Sequence, residues 1–392
     1  MTCRFCKNKH LKKVLDLGKM PLAGGFLKQE DFSKEKRYPL TLNFCSNCFL
    51  AQINDIPKEQ TALYKHTLFR SGASQAVIDH FEELATEIYA RYGEAGVVEI
   101  GSNDGTLLDA MQKHGLKCVG IDPVANEYFT KACAERLVKR QGKADVVVSS
   151  YTLSHIDDMR DVFEGIKLLL KDTGVLIFET YYLGKLLDEL QYDMIYHEHM
   201  SYYSFLAIDI FLKRYGLEVY DIKYLPDFRS GCIRFYVRKQ SVLKVSDRVL
   251  EWRFWEIIQG YHHARVFKDY AAKVAKNKQD LLMLLAELKN DNKRIIGYGA
   301  TGRGTTIMNY CNIDSRYLDY VADDTPEKQG LYTPGTHVPI RAWDDTHYPD
   351  YALVFSWAFI DEIMKKRKDY IKMGGKFILP LPKVKVVNTS KS

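Results

Sequence analysis

Long apolar runs are missing from this sequence. No stretch approaches the roughly 18 consecutive apolar residues of a membrane-spanning helix, and Met1–Cys6 contains no apolar segment of the kind that opens a secretory signal. We therefore expect a cytoplasmic protein with no membrane partner. Charge of one sign is also scarce, since 56 Lys and Arg face 50 Asp and Glu and leave a net charge of +6. The lysines are scattered, so we expect no nucleic-acid partner, and a monomer is the default expectation.

Cysteines are few, but four of the eight form two C-x2-C pairs, Cys3 with Cys6 and Cys45 with Cys48. Such pairs place two thiolates on one metal ion, and two pairs complete a four-thiolate zinc shell. A closed shell leaves no position for water or substrate, so the zinc is expected to be structural. An RNA-binding ribbon is the alternative, although the interleaved basic and aromatic residues that it needs are sparse here.

From about residue 97 the sequence alternates between strand and helix patterns. Val97–Ile100 and Cys118–Ile121 read as buried strands, and the loop Gly101–Gly105 between them opens a helix. This alternation predicts an α/β fold with a parallel, doubly wound sheet. Further strands are expected at 146–148 and 175–178, followed by an antiparallel pair at 217–225 and 233–238 that is typical of methyltransferase sheets.

The loop after the first strand indicates a cofactor. Small residues allow a close backbone approach, and Asp122, which ends the second strand, can hold two ribose hydroxyls. Asn103 stands where a G-x-G-x-x-G loop has its second glycine, which favours S-adenosylmethionine over a dinucleotide. An ordinary strand-to-helix turn with a surface acid nearby is the alternative.

The segment Tyr196–Ser204 is the densest in chemically active side chains. His197 and His199 in it could bind a metal, form a structural cluster or supply a general base, and the imidazole pKa of about 6.5 suits the last role. His155 follows the strand at 146–148, at the carboxyl edge where ligands bind in such sheets.

These motifs resemble the nucleotide-sugar C-methyltransferases, of the type that methylates C3 of 4-keto-deoxysugars. The resemblance covers nearly the whole chain, from the cysteine pairs through Glu99–Gly105 and Tyr196–His199 to Lys328–Thr336. It implies a zinc-binding domain at 1–65, a class I methyltransferase domain at 66–240, and a Rossmann-like domain at 241–392 that binds the nucleotide sugar, linked through dTDP or GDP.

The resemblance also implies site residues. The catalytic group is His199 as the base, with Tyr196, Glu198 and His155 beside it. The expected S-adenosylmethionine ligands are Glu99, Gly101, Ser102, Asn103, Gly105, Asp122 and Pro123. The expected substrate ligands are Tyr64, Tyr151, Arg234, Tyr298, Gly299, Arg303 and Lys328.

The chain departs from the family pattern in three places. Tyr151 replaces an asparagine, Arg229–Arg234 replaces a His-Gly-Gly-Ser-Leu-Arg motif, and no clear third strand separates Asp122 from Asp145. These differences surround the expected sugar and adenine pockets, so they bear on the substrate more than on the reaction type.

The C-terminal third begins with helical periodicity over 246–290. Phe254, Ile257 and Ile258, and after them Leu281, Leu284, Leu285 and Leu288, are expected to face a core. Gly297–Gly302 then matches G-x-G-x-x-G, with Asp323 about twenty residues later. This loop either cradles the diphosphate of the substrate, our preferred interpretation, or binds NAD.

The expected reaction is removal of the C3 proton by His199, followed by attack of the enolate carbon on the methyl group. Tyr196 would stabilise the enolate oxygen. An NAD-dependent sugar-modifying enzyme and a sugar O-methyltransferase are the alternatives.

Overall fold

The computed structural model describes residues 1–58, 70–125 and 127–388. Tyr64 and the expected domain boundary at 65/66 lie outside the described residues. The strands are β1 (Lys12–Met20), β2 (Tyr38–Phe44), β3 (Ala51–Ile53), β4 (Gly96–Ile100), β5 (Lys117–Ile121), β6 (Ala144–Ser150), β7 (Leu170–Tyr181), β8 (Ser201–Tyr202), β9 (Leu217–Leu225), β10 (Cys232–Lys239), β11 (Ile295–Tyr298), β12 (Val321–Ala322), β13 (Ile340–Arg341), β14 (Tyr351–Val354), β15 (Lys376–Leu379) and β16 (Lys385–Val387).

The α-helices of the described residues lie between these strands. They are α1 (Gln75–Tyr92), α2 (Thr106–Lys113), α3 (Lys131–Gln141), α4 (Met159–Leu169), α5 (Leu183–Asp188), α6 (Phe205–Lys213), α7 (Asp247–Gln259), α8 (Arg265–Asn290), α9 (Gly302–Cys311), α10 (Ile360–Lys366) and α11 (Lys368–Lys372).

The central sheet has the order β5-β4-β6-β7-β10-β9. Strands β5, β4, β6 and β7 are parallel, and β10 runs antiparallel between β7 and β9. The strands and the terminal antiparallel pair predicted from sequence are therefore confirmed. Beyond β4 the sheet has β5 alone, as the short stretch between Asp122 and Asp145 indicated.

Helices cover both faces of this sheet. On one face α1 presents Val77, Phe81, Leu84 and Ile88, which recur every three or four residues and so share one side of the helix. They pack with the alternate residues of β6 and β4. On the other face α3 and α4 pack against each other and the sheet. Burial on both sides explains the continuous valine and isoleucine runs of the strands.

The N-terminal sheet has the order β1-β2-β3-β8 and is antiparallel. Its last strand, β8, comes from the segment that follows the Tyr196–His199 motif. The cysteine-bearing region and the candidate catalytic segment are thereby joined in one sheet.

The C-terminal sheet has the order β13-β12-β11-β14-β15-β16 and is parallel except for β16. In the long helix α8, Leu281, Leu285 and Leu288 are buried as predicted, and Leu284 is half-buried. The prediction for α7 is wrong: Phe254, Ile257 and Ile258 are 66%, 46% and 63% exposed. The buried side of α7 carries Val249 and Glu256 instead.

None of the helices in the described ranges has the length and apolarity needed to cross a lipid bilayer.

Candidate active site and cysteine cluster

The loop between β4 and α2 requires glycine at its first position. Gly101 has φ +84°, and a Cβ atom there would lie 1.8 Å from Oγ1 of Thr152. Its N–H donates to the Ile121 carbonyl at 2.7 Å, which holds the loop against the end of β5. Because glycine has no side chain, the loop backbone can pack against Thr152 and a ligand can approach it closely.

Asp122 fixes the far side of the same loop. One carboxylate oxygen accepts the N–H of Asn103 at 2.9 Å, and the other accepts the N–H of Val124 at 2.7 Å, in the turn that Pro123 opens. The Oδ1 atom of Asn103 accepts the N–H of Ser71 at 3.1 Å. Further along, Ser102 is buried and Gly105 is the left-handed N-cap of α2.

Glu99 is a buried acid at the end of β4, beside the loop. It is 2% exposed, and its Oε2 atom has no hydrogen-bond partner. Burial, and to a lesser extent the nearby Asp122, raises its pKa to about 8. A cationic ligand would restore the charged form. S-adenosylmethionine carries a sulfonium and an ammonium group, so these residues fit it.

His199 occupies a buried position with a defined tautomer. Its Nδ1 lies 2.8 Å from the Met194 carbonyl, which can only accept, so Nδ1 carries the proton. Nε2 therefore presents its lone pair, and the Tyr196 hydroxyl donates to it at 2.9 Å. Burial and the neighbouring His155 lower the pKa of His199 well below its usual range. The imidazole is thus neutral and able to accept a proton near pH 7.

Three aromatic rings connect His199 to the cofactor loop. The ring of His155 lies 5.0 Å from that of His199, and the ring of Tyr181 lies 5.1 Å from it. Tyr181 in turn lies 4.7 Å from Tyr151, the residue before Thr152. Since Gly101 packs against Thr152, the base and the loop are neighbours at the carboxyl edge of the sheet.

His155 and Glu198 are held by the backbone. The ring of His155 donates to the Glu198 carbonyl, and burial lowers its pKa to about 4. The Glu198 carboxyl accepts the Gly24 N–H, and burial raises its pKa. His197 turns away and donates to the Pro39 carbonyl at 3.1 Å, which makes it a link to the N-terminal sheet.

The turn between β9 and β10 is conformationally strained. Arg229, Ser230 and Gly231 all have positive φ, at 47°, 67° and 101°. The guanidinium of Arg229 stacks 4.6 Å from the centre of the Tyr151 ring. Backbone strain of this kind is concentrated at ligand sites. The turn places the guanidinium of Arg229 beside Tyr151, whose ring leads through Tyr181 to His199.

Arg234, which the resemblance implies as a substrate ligand, pairs with carboxylates inside the protein. It is fully buried and donates to Glu179 at 2.8 Å and to Glu87 at 2.6 Å. Glu179 also contacts His80 at 2.8 Å. Although burial opposes ionisation, His80 and Arg234 lower the pKa of Glu179 to about 2. Arg234 therefore balances buried carboxylates.

Arg303 is likewise bound within the protein. It donates to Asp193 at 2.7 Å and to Ser230 at 2.8 Å. The Trp357 indole also donates to Asp193, at 2.8 Å. The guanidinium thus links α9 to the turn between β9 and β10, and its Nη2 atom has no hydrogen-bond partner. That Arg303 binds the substrate stays a prediction.

The C-terminal glycine loop repeats the geometry of the cofactor loop. Asp323 accepts the N–H of Ala300 at 2.7 Å and that of Thr325 at 2.9 Å. Gly299 has φ +91°, and a Cβ atom there would lie 2.2 Å from Oγ of Ser356. Lys328 donates to the Ala300 carbonyl at 2.8 Å.

This loop reaches the catalytic segment. A Cβ atom on Gly302, the first residue of α9, would lie 3.7 Å from the ring of Tyr196. Tyr298, at the end of β11, is buried and faces Arg367 at 3.3 Å. A ligand lying on the glycine loop would therefore extend toward Tyr196.

The four cysteines of the two pairs come together. The Sγ atoms of Cys3, Cys6, Cys45 and Cys48 all lie within 4.8 Å of one another. Cys3 and Cys48 approach to 3.4 Å, and Cys6 and Cys45 to 3.5 Å. Four thiolates at a Zn–S distance of about 2.3 Å would be spaced about 3.8 Å apart, so the donor set fits zinc.

The two cysteine turns have the same backbone. Lys7 donates to the Cys3 carbonyl at 3.0 Å, and Phe49 donates to the Cys45 carbonyl at 2.7 Å. Both donors have positive φ, at 60° and 63°. The repeated turn aims each pair of sulfurs at a common point.

Several residues of the site carried no readable signal in the sequence. The Met194 carbonyl selects the tautomer of His199, and backbone groups leave no mark in a sequence. Tyr181 could have been found, because it is the last residue of β7, at the carboxyl edge of the sheet. The interactions of Asp193, Glu179 and His80 are with residues far away in the chain, so no local pattern marks them.

Three family models match the chain in succession. They are described as "Putative zinc binding domain" over residues 3–61, "Methyltransferase domain" over 69–222 and "C-methyltransferase C-terminal domain" over 227–382. Together with the strand order of the central sheet, they confirm the class I methyltransferase fold flanked by a zinc domain and a Rossmann-like domain.

The chain is also similar to a curated protein over its full length. It is 29% identical to the C-methyltransferase NovU of Streptomyces niveus over 411 residues, covering 100% of this chain and 97% of that protein. Among solved structures it is similar to a 1,6-didemethyltoxoflavin N1-methyltransferase of Burkholderia thailandensis, at 14% identity over 49% of this chain and 95% of that one, with a TM-score of 0.36. An S-adenosylmethionine-dependent methyltransferase of Clostridium acetobutylicum matches at 16% identity over 42% and 92%, with a TM-score of 0.32.

Proposed function

We propose that this chain, an S-adenosylmethionine-dependent C-methyltransferase with a zinc-binding domain, methylates C3 of a nucleotide-linked 4-keto-deoxysugar. The hydrogen-bonded pair of His199 and Tyr196 supports this proposal most directly. The lone pair of a neutral, buried imidazole accepts the hydroxyl of a half-buried tyrosine at 2.9 Å.

This pair suits a carbon next to a ketone. The proton to be removed and the carbonyl oxygen sit on adjacent carbons of such a sugar, so a base and a hydrogen-bond donor one hydrogen-bond length apart can address both. Tyr196 would turn its hydroxyl to the ketone oxygen, and Nε2 of His199 would then face the C3 proton. If the methyl acceptor were a sugar hydroxyl, the reaction would need the base but not the phenol donor.

The proposed reaction has two steps, proton removal and methyl transfer. Nε2 takes the C3 proton, the C–H electron pair forms the C3–C4 double bond, and the carbonyl pair moves to the oxygen, where Tyr196 donates. Bound S-adenosylmethionine supplies an electrophilic methyl group. The C3–C4 electron pair would form the bond to that methyl group while the C–S pair stays on sulfur, and the oxygen pair would restore the C4 carbonyl. The imidazolium of His199 would then release its proton to solvent.

The nucleotide part of the substrate is proposed to lie on the C-terminal glycine loop. The backbone N–H groups of that loop and the start of α9 suit a diphosphate, and Gly302 adjoins Tyr196. We include Gly299, Tyr298 and Lys328 in this site. The same loop would accept NAD, so NAD-dependent turnover of a keto-sugar would contradict the proposal.

Substitution tests the two catalytic roles. We expect His199→Ala to lower turnover by about 10²- to 10⁴-fold, because it removes the general base, while the affinity for S-adenosylmethionine stays unchanged. Tyr196→Phe should lower turnover by about 10²- to 10³-fold. Tyr202→Phe is the matched control, since its buried hydroxyl also lies near the Met194 carbonyl, at 3.4 Å. A near-normal rate in His199→Ala would refute the assignment of the base.

A further inference from the structure

The two cysteine turns differ in where their middle residues lie. The second turn exposes Ser46 and Asn47 to solvent. The first turn buries both of its middle residues, with Arg4 5% and Phe5 1% exposed. A buried charged side chain is normally held by hydrogen bonds or an ion pair. The first turn therefore inserts two side chains into the rest of the protein, in addition to presenting two thiols to the cluster.

The ring of Phe5 packs against the methyltransferase domain. It stacks 3.8 Å from the ring of Phe211 in α6 and 5.9 Å from that of Tyr203. The hydroxyl of Tyr203 in turn donates to the Leu153 carbonyl at 2.9 Å. The first cysteine turn is thereby seated against the segments that follow β6 and β8, between which the site histidines lie.

The guanidinium of Arg4 contacts both segments that carry the site histidines. Its Nη1 atom donates at 3.1 Å to the carbonyl of Met200, the residue after His199. Its Nε atom donates at 2.8 Å to the carboxylate of Asp157, two residues after His155. One planar group with donors in a fixed fork thus joins the two segments.

The backbone between the two histidine segments is bonded as well. The N–H of Met200 donates to the Ser154 carbonyl at 2.8 Å. The carbonyl of Met200 accepts the N–H of Ile53 at 3.0 Å in addition to the Arg4 guanidinium. The rings of the two histidines lie 5.0 Å apart. Arg4 therefore braces the peptide groups that connect one histidine to the other.

The bonds from Arg4 to carbonyls matter more than its ion pair. The side chain of Asp157 is 73% exposed, and an ion pair with so exposed a partner contributes little. The Nη1 atom also donates to the Ile53 carbonyl, and both Ile53 and Met200 are buried. Without the guanidinium these two carbonyls would lose a donor away from water, and the backbone would shift to regain one.

We propose that Arg4 is a positioning residue, which holds the segment after β6 and the Tyr196–His199 segment in the arrangement that keeps Nδ1 of His199 on the Met194 carbonyl. This inference rests on the proposed role of His199 as the base. It gives the first cysteine turn a part in the reaction besides its part in the zinc domain. A misplacement of about 1 Å can lower a rate by about 100-fold, so the effect is large enough to measure.

Arg4→Met tests the proposal, because it keeps the length of the side chain and removes its donors. We expect turnover to fall by about 10- to 100-fold, with zinc content and the affinity for S-adenosylmethionine unchanged. In ¹⁵N NMR spectra of the histidine-labelled protein without substrate, the signal of His199 should change from the Nδ1-protonated form to a mixture of tautomers. His199→Ala identifies that signal by its absence.

Ser46→Met is the matched control, because Ser46 holds the equivalent place in the second turn and is exposed. It should leave the signal of His199, the turnover and the zinc content as they are in the wild type. Arg4→Lys keeps a buried cation but cannot reproduce the fork. It should change the same signal to a smaller extent, and it replaces Arg4→Met in the test if that variant does not fold.

The spectrum and the rate separate two failures. A folded, zinc-loaded Arg4 variant with the wild-type His199 signal would overturn the proposal. So would a normal rate in that variant when His199→Ala abolishes turnover. If the variant changes the signal and His199→Ala keeps the wild-type rate, the positioning by Arg4 stands and the assignment of the base fails.

Discussion

Burial decides the protonation of the two histidines nearest the reaction centre. His199 is 3% exposed, and Arg303, a cation that also lowers its pKa, is already paired with Asp193. Desolvation is the largest cause of the low pKa of both rings. The chain thereby keeps a neutral base without a carboxylate to orient it, and the Met194 carbonyl takes the orienting role.

The pH dependence of stability follows from His155. Its folded pKa of about 4 lies below the ordinary value of 6.5. Above pH 6.5 neither state of the chain binds the proton, but between pH 6.5 and 4 the unfolded chain does, so stability falls as the pH drops. We expect about 1 kcal/mol to be lost between pH 6.5 and 5.5 in urea unfolding, and His155→Gln to lack that part of the loss. The same slope in both proteins would contradict this account.

Single residues also show what the sequence could not reveal. Glu99, Asp122 and His199 could be proposed as site residues because each stands in a local motif. The ion pairs of Arg234 could not be read from the sequence, because its partners Glu179 and Glu87 lie 55 and 147 residues away in the chain. The charge balance of a buried group is a property of the tertiary structure.

At the scale of elements, the turn after β4 depends on the close contact between Gly101 and Thr152. We expect Gly101→Ala to weaken S-adenosylmethionine binding by about 10- to 100-fold and to destabilise the fold by about 1–3 kcal/mol. The Cβ atom would overlap Oγ1 of Thr152 in a left-handed backbone. Isothermal titration and urea unfolding measure the two effects.

Gly115→Ala is the control for that substitution. Gly115 has φ +79° and open space around its Cβ position. The substitution should therefore lower stability only through backbone strain, by about 1–2 kcal/mol. If the two variants bound S-adenosylmethionine equally well, the loop would not be the cofactor site.

The paired cysteine turns are the second element with a direct test. We expect Cys45→Ser to lose zinc, measured by metal analysis, and to lower the melting temperature, because folding of the small domain is coupled to the metal. Cys118→Ser, a half-buried thiol outside the cluster, should keep both zinc and stability. A Cys45→Ser protein without zinc that melts like the wild type would end the structural role.

Elements were predicted well where their pattern was local. Strands such as β4 and β6 are buried on both faces and read as continuous apolar runs, and the cysteine spacing alone indicated the cluster. Helix α7 was misread because periodicity shows that a face is apolar, without showing what covers it.

At the scale of the whole molecule, the candidate site is assembled from three sheets. The N-terminal part contacts it through Gly24, and the C-terminal part through Gly302 and Arg303. The order of domains was readable from motifs. Their meeting at Tyr196–His199 was not, since nothing in a linear sequence specifies which loops converge.

The most direct test of the proposed reaction is mass spectrometry in deuterated water, with dTDP- and GDP-linked 4-keto-deoxysugars as substrates. We predict that one of them exchanges its C3 proton for deuterium without S-adenosylmethionine and gains one methyl group when the cofactor is added. His199→Ala should do neither. Methylation without C3 exchange, or exchange that survives in His199→Ala, would contradict an enolate formed by this base.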